Sequence, residues 1–345
     1  MTPNWYASVM GTGIVATAAV TLPVRVPGLH LLATGVWMLA AVLLIMLTAT
    51  AVRRWQDALG HHTDPVMMHF YGAPPMAVLT VGAGTLLLGR DVIGLEAAVR
   101  VDWLLWGAGT IAGLYVAVAI PFLMVTRPGG TTADGAFGGW LMPVVVPMVS
   151  ASTGALLVPY TPAGQLRLTM VLGCYAMFGI SLIASLVIIT QIWQRLVRHG
   201  AGPARMVPTL WIVLGPLGQS VTAANLLGDV ADQALPGPYA NGLRIFGVLY
   251  GVPLWGFALL WAALAAAVTL RTDLPFSPAW WSFTFPVGTL VTATSGLAVH
   301  TGADLFRVAA VLLYSGLLAI WTVVAARTVR ERVAATRPAG HAVSG

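Results

Sequence analysis

The chain has 345 residues, of which 58% are hydrophobic and only 8% are charged, and its mean hydropathy is +0.85. Soluble domains carry about 25% charged residues, so this composition excludes a soluble globule. The net charge of +6 comes from arginines without any lysine. These arginines cluster at the ends of apolar runs, which is typical of membrane topology and not of a nucleic-acid-binding face. The single cysteine, Cys174, excludes an internal disulfide and a multi-cysteine metal site.

Apolar runs of about 20 residues, the length that crosses a bilayer, recur along the chain. They predict an all-α polytopic membrane protein with ten transmembrane helices. We expect one domain over residues 1–330 and a disordered cytoplasmic tail over residues 331–345. The predicted spans cover approximately residues 5–23, 29–52, 66–88, 102–125, 140–159, 166–193, 207–227, 243–270, 278–296 and 304–326.

The placement of arginine orients these spans. By the positive-inside rule, the side with more arginines near the span ends faces the cytoplasm. One side, formed by the loops after even-numbered spans and the C-terminal tail, holds Arg53, Arg54, Arg127, Arg195, Arg198, Arg205, Arg271, Arg327, Arg330, Arg332 and Arg337. The other side holds Arg25, Arg90, Arg100, Arg167, Arg244 and Arg307. This imbalance predicts an inner-membrane (plasma-membrane) protein with both termini in the cytoplasm.

Helix breakers and hydroxyl residues concentrate in the odd-numbered spans. The prolines well inside odd spans are Pro74, Pro75, Pro143, Pro147, Pro216 and Pro286, and the first span has Gly11 and Gly13 instead. In lipid, a broken helix survives only where protein or water satisfies the freed backbone groups. The bias therefore indicates five helical hairpins, with odd helices around a central path and even helices outside. Close packing of helices through small residues explains it equally well.

Three short segments resemble one transporter family. They are PNWYASVMGTGIVA at the start, LGPLGQS in the seventh span and AWWSFTFPVGTL in the ninth. In this order, and on these spans, they make the chain similar to the tellurite-resistance/dicarboxylate transporter family. That family includes the plant slow anion channels, the yeast malate permease and the yeast sulfite pump. The resemblance covers roughly residues 3–330, and its Gly-Pro-x-Gly-Gln-Ser pattern looks closer to the malate and sulfite branch.

The resemblance implies a fold, an assembly and a function. Family members form homotrimers in which each protomer has its own central pore, built from five helical hairpins. A phenylalanine on the ninth helix plugs that pore, and the Thr-Phe-Pro motif places it here at Phe285, followed by Pro286. The expected function is the passage of small anions, such as malate or another C4-dicarboxylate, sulfite, chloride or nitrate. No enzymatic activity is expected.

The charged residues indicate how such an anion would be held. All eleven acidic residues are expected in loops or at span ends, which disfavours a carboxylate proton relay. We expect hydroxyls, backbone N–H groups and helix dipoles to bind the anion weakly enough for release. For Gln219 a plain interhelical hydrogen bond is the alternative. The candidate pore-lining residues are Gly11, Thr12, Gly13, Pro75, Pro147, Ser150, Gly218, Gln219, Ser220 and Thr289.

Haem- and metal-binding membrane proteins need histidine ligands at suitable spacing, and this sequence offers few candidates. The seven histidines lie mostly in loops or near span ends, and His69 and His300 lack a histidine partner at helical spacing. Haem, metal or any other cofactor is therefore not expected. Two alternatives remain, a quinone-linked membrane redox subunit and a proton-coupled exporter of another solute. The expected partners are a small anion and the lipid bilayer, and no nucleic acid.

Overall fold

The computed structural model describes residues 2–127 and 133–336, and every regular element within these ranges is helical. The predicted all-α class is therefore confirmed. The α-helices are α1 (Tyr6–Thr21), α2 (Leu29–Arg53), α3 (Trp55–Gly60), α4 (Ala73–Gly84), α5 (Arg90–Ile93), α6 (Leu95–Thr126), α7 (Leu141–Leu157), α8 (Gln165–His199), α9 (Leu214–Val230), α10 (Gly237–Leu270), α11 (Phe285–Thr301) and α12 (Asp304–Thr336).

Nine helical stretches in the described part of the chain are long and apolar enough to cross a membrane. They correspond to the second to tenth predicted spans. The first predicted span, which contains α1, falls outside this group. The nine are Leu29–Arg53, Met67–Ile93, Leu95–Thr126, Gly138–Tyr160, Gln165–His199, Ala204–Gln233, Gly237–Leu270, Pro278–Thr301 and Asp304–Val333.

Burial alternates along the chain. In the spans that contain α4, α7, α9 and α11, between 67% and 94% of the most apolar stretch is buried. The residues of α1 are buried from Tyr6 to Ala19. In the spans formed by α2, α6, α8, α10 and α12, the buried share is only 22% to 33%. Side chains exposed on these five helices are largely leucine, valine and isoleucine, which suits contact with lipid.

The helices pack in two patterns. Consecutive long helices contact each other in pairs, α1 with α2, α4 with α6, α7 with α8, α9 with α10 and α11 with α12. The five most buried helices also contact each other in sequence, α1 with α4, α4 with α7, α7 with α9 and α9 with α11. Because α11 in turn contacts α1, this second set of contacts closes on itself.

Each of the five most buried helices is preceded by a short 3-10 helix. These are Pro3–Trp5, Met67–Gly72, Gly138–Trp140, Ala204–Val213 and Pro278–Phe283. The prolines expected to bend these spans mostly lie near the change from 3-10 to α geometry. Pro286, for example, lies in the first turn of α11, where its missing N–H costs no hydrogen bond. Pro147 is an exception because it lies inside α7.

Several less buried helices are longer than their predicted spans. Helix α6 has 32 residues, and α12 continues to Thr336. Residues 331–336 of the predicted disordered tail are therefore helical, and residues 337–345 lie outside the described residues. Charged residues ended the predicted spans, yet on an exposed helix face they are compatible with helix. Arg100, for example, pairs with Glu96 one turn earlier on α6.

The position of Asp102 contradicts the prediction that all acidic residues lie in loops or at span ends. The fourth span was predicted to begin at about this residue, which placed its carboxylate at a helix end. Helix α6 begins seven residues earlier at Leu95, and Asp102 is 1% exposed. Its side chain packs against Gly82 of α4, and neither carboxylate oxygen has a hydrogen-bond partner among the described residues. One acidic residue is therefore buried between two helices, away from both cavities described below.

We predict that Asp102→Asn leaves the protein as stable as the wild type or more stable by about 1 kcal/mol, because an ionisable group without a partner is costly to bury. The amide keeps the shape of the carboxylate beside Gly82. Thermal unfolding of the purified protein in detergent measures the difference. A clear fall in the melting temperature would contradict the prediction, since it would mean that the carboxylate makes a favourable interaction.

Candidate functional site

A cavity of about 300 Å³ lies among the five most buried helices, towards their carboxyl-terminal ends. Its wall includes residues from α1, α4, α7, α9 and α11. A volume of this size is enough for a small ligand. The uncharged polar side chains on the wall are Thr17, Thr21, Thr80, Ser152, Thr153, Gln219, Thr222, Asn225, Thr292 and Ser295.

Helical periodicity explains why these residues face one space. On α11, Phe285, Thr292 and Val299 all lie on the wall, and they are spaced by seven residues, close to two turns. On α9, Gln219 and Thr222 are followed by Asp229 at the same spacing from Thr222. Each helix therefore contributes a single face to the cavity.

Phe285 lies between this cavity and a second, much smaller one. The smaller cavity, of about 20 Å³, lies towards the amino-terminal ends of the same helices and has mainly apolar walls, which include Met10, Met76 and Met142. Phe285 is on the wall of both cavities and is 5% exposed. Phe285 thus borders both a larger space with polar groups and a smaller apolar one.

Close contact between α9 and α11 holds the helix that carries this ring. A Cβ atom added at Gly218 would lie 2.6 Å from the carbonyl carbon of Thr289 and 2.7 Å from the backbone nitrogen of Leu290. The Thr289 hydroxyl lies 3.1 Å from the carbonyl oxygen of Leu214 across the same interface. Backbone-to-backbone packing therefore fixes the position of α11 one turn after Phe285.

An ion pair lies at the far end of the larger cavity. Nε2 of His300 is 2.7 Å from a carboxylate oxygen of Asp229, and Nδ1 is 2.7 Å from the carbonyl oxygen of Gly296. Carboxylates and carbonyls only accept hydrogen bonds, so both ring nitrogens carry a hydrogen and the imidazole is cationic in this arrangement. The side chain of Asp229 is 46% exposed, which places the pair at the mouth of the cavity.

Nearly the whole chain matches a known family. Residues 1–329 match the family described as voltage-dependent anion channel (SLAC1). The chain belongs to this anion-channel family. The sulfite efflux pump SSU1 of Trichophyton rubrum is 28% identical to it over 340 residues, which cover 95% of this chain and 89% of the pump. The malic acid transport protein of Schizosaccharomyces pombe is 22% identical over 309 residues, which cover 82% of this chain and 67% of that protein.

Membership of the voltage-dependent anion channel family confirms the resemblance seen in the short motifs. An uncharacterized transporter of Methanocaldococcus jannaschii is also similar, with 28% identity over 301 residues that cover 85% of this chain and 82% of that protein. The family consists of channels and transporters, so the expectation that the chain is not an enzyme is confirmed. Together with the nine apolar helices, these findings make the chain a multi-pass membrane protein of an anion-transporting family.

The predicted site residues of this channel-family protein lie on the wall of the larger cavity, on the wall of the smaller cavity, or on neither wall. Phe285 and Gln219 lie on the wall of the larger cavity, and Pro286 lies on the wall of the smaller one. The other predicted residues lie on neither wall. Of these, Thr12 accepts a hydrogen bond from Trp321, Ser220 accepts one from Tyr250, and Ser150 supplies its carbonyl to Trp106. The remaining ones are buried within helices, namely Gly11, Gly13, Pro75, Pro147, Gly218 and Thr289.

Some polar residues of the cavity were not singled out as candidates. Thr222 and Thr292 place their hydroxyl oxygens 2.8 Å apart between α9 and α11, and Ser152 accepts a hydrogen bond from the Gln219 amide. Extending the helical period from Gln219 or from Phe285 would have found Thr222 and Thr292. The same period reaches Asp229, seven residues after Thr222, but its pairing with His300 depends on how α9 and α11 pack.

Proposed function

We propose that this chain passes small anions across the membrane through a path between α1, α4, α7, α9 and α11, and that Phe285 closes the path. The observation that carries the proposal is the position of the Phe285 ring between the two cavities. The cyclic contacts of the five most buried helices support a path along their common axis. The paired, less buried helices would then form the lipid-facing layer of a ten-span protein built from five hairpins.

The chemistry of the larger cavity suits a weakly held anion. The charged residues on its wall, Asp229 and His300, pair with each other at the mouth. Most hydroxyls on the wall already donate to backbone carbonyls, whereas the amides of Gln219 and Asn225 have N–H groups that can donate hydrogen bonds to an anion without binding it tightly. An unpaired carboxylate at that depth would favour a cation, and the carboxylate of Asp102 lies away from the wall.

The relatives suggest the class of anion. One is a sulfite efflux pump and another is a malic acid transport protein. At neutral or mildly acidic pH these solutes present a small oxyanion, and we infer that such oxyanions are the substrates here. Gln219 is a candidate donor to them. One of its N–H groups is engaged by Ser152, and its amide has a second N–H.

We also infer the topology and the assembly. The excess of arginines after even-numbered spans places both termini in the cytoplasm, with the larger cavity open to the outside of the inner membrane. A homotrimer with one path in each protomer follows from the family resemblance. Native mass spectrometry of the purified protein would reveal the trimer as a threefold mass.

A flux measurement in proteoliposomes tests the proposed function. We expect sulfite, malate, chloride or nitrate to cross at rates at least about tenfold above protein-free liposomes, while potassium flux stays at background, because the carboxylate on the cavity wall, that of Asp229, is already paired with His300. Potassium or sodium carrying the current, with no anion flux, would contradict the proposal. A haem absorption band or bound quinone in the purified protein would favour the redox alternative instead.

A further inference from the structure

The polar groups of the larger cavity divide into two classes. Of its ten uncharged polar side chains, eight donate a hydrogen bond within the protein. They are Thr17, Thr21, Thr80, Ser152, Thr153, Gln219, Thr222 and Thr292. The Asn225 amide and the Ser295 hydroxyl have no hydrogen-bond partner among the residues that the structure describes. Asn225 is 2% exposed and Ser295 is 1% exposed.

Two glycines make room for the unpartnered amide. A Cβ atom added at Gly247 of α10 would lie 2.7 Å from Oδ1 of Asn225, and one added at Gly296 of α11 would lie 3.0 Å from Nδ2. Gly296 is itself on the cavity wall and directly follows Ser295. The amide of α9 therefore packs against α11 at Gly296, and the hydroxyl of α11 belongs to the preceding residue on the same cavity wall.

The surrounding groups leave these donors free for a ligand. The carbonyl of Gly296, the residue after Ser295, is engaged by Nδ1 of His300. Buried polar groups in folded proteins are hydrogen-bonded as a rule, so two neighbouring exceptions on a cavity wall indicate a missing partner. The two N–H groups of the amide and the O–H of the serine match an acceptor with several oxygens.

We propose that Asn225 and Ser295 form a binding site for a small, singly charged oxyanion in the outer half of the cavity. The site rests on the proposed function, because it is a position along the proposed path at which the permeating anion would bind. This position lies between the His300–Asp229 pair at the mouth and the Phe285 ring. It has no fixed charge of its own, so the anion is held by hydrogen bonds and leaves readily. Sulfite in its singly protonated form and a singly charged carboxylate both fit this chemistry.

The concentration dependence of sulfite flux in proteoliposomes tests the site. The variants are Asn225→Leu, which keeps the shape and removes the donors, and Ser295→Ala, which removes a single oxygen. Each is expected to raise the half-saturating sulfite concentration about tenfold, the usual size for a hydrogen bond to a charged ligand, with a much smaller change in the maximal rate. Ser185→Ala is the matched control, since Ser185 is equally buried and unpartnered but lies on α8 away from the cavity wall.

The possible outcomes distinguish a failure of the proposed binding site from a failure of the proposed anion transport. A raised half-saturating concentration in the cavity variants, with the Ser185→Ala control unchanged, supports the site. Saturable wild-type flux with all three variants within twofold of it would overturn the site and leave anion transport standing. Absence of anion flux in the wild type would overturn both. If Asn225→Leu does not fold, Ser295→Ala alone decides, because it adds no atoms to the core.

Discussion

Phe285→Ala is expected to raise anion flux through reconstituted protein by at least about tenfold, because the ring lies between the two cavities and its removal joins them. A tenfold rise needs a barrier lower by only about 1.4 kcal/mol. Truncating a buried phenylalanine also costs about 3–5 kcal/mol of stability, so flux must be normalised to the folded protein recovered. The measurement is the initial rate of sulfite or chloride efflux from proteoliposomes.

Phe283→Ala provides the matched control for this prediction. Phe283 is only two residues away and is also buried, at 7% exposed, but it packs edge-on against Trp211 and Trp280 and lies on neither cavity wall. It should lose stability without gaining flux. If both variants leave flux within twofold of the wild type, the Phe285 ring fills space between helices and does not close a path.

Gly218→Ala is expected to destabilise the protein by about 2 kcal/mol or more, the usual cost of forcing an extra carbon into a packed core. The atoms that the new Cβ would meet belong to the backbone of α11 at Thr289 and Leu290, so they cannot move aside as a flexible side chain would. The two helices must separate, which also shifts the position of Phe285. Thermal unfolding in detergent should therefore show a melting temperature lower by about 3 °C.

Gly215→Ala is the control on the same helix, since a Cβ atom there would meet no other atom within 4 Å. Its melting temperature should equal or slightly exceed that of the wild type, because alanine favours the helix. Equal melting temperatures for both alanine variants would refute the close-contact explanation for Gly218. That result would instead agree with the sequence-based prediction that Gly218 borders an open path.

The sequence predicted the helices well because hydropathy is a local property. It was less accurate at the helix ends, where pairing such as that of Glu96 with Arg100 continues a helix beyond the apolar run. The buried carboxylate of Asp102 was missed for this reason. The first predicted span, residues 5–23, extends two residues beyond Thr21, where α1 ends.

The candidate site was predictable only where a residue type or motif stood out. The motif resemblance drew attention to Phe285, and polarity at depth drew attention to Gln219. Small and hydroxyl residues such as Gly218 and Ser220 carried no information on which side of a helix meets a neighbour. The His300–Asp229 pair joins residues 71 positions apart, so it depends on tertiary packing that no local pattern encodes.

The accessibility of single cysteines on either side of Phe285 tests the central claim most directly. Two variants are compared in a Cys174→Ala background, which removes the one native cysteine, itself fully buried. Thr222→Cys places a thiol in the larger cavity, and Val145→Cys places one on the wall of the smaller cavity. A small, membrane-impermeant thiol reagent is added from outside, and labelling is followed by mass spectrometry.

If Phe285 closes the path, the Thr222→Cys variant is labelled and loses anion flux, whereas the Val145→Cys variant is labelled only when Phe285→Ala is also present. Labelling of the Val145→Cys variant at the same rate with and without the Phe285 ring would contradict the account. So would a Thr222→Cys variant that the reagent never reaches.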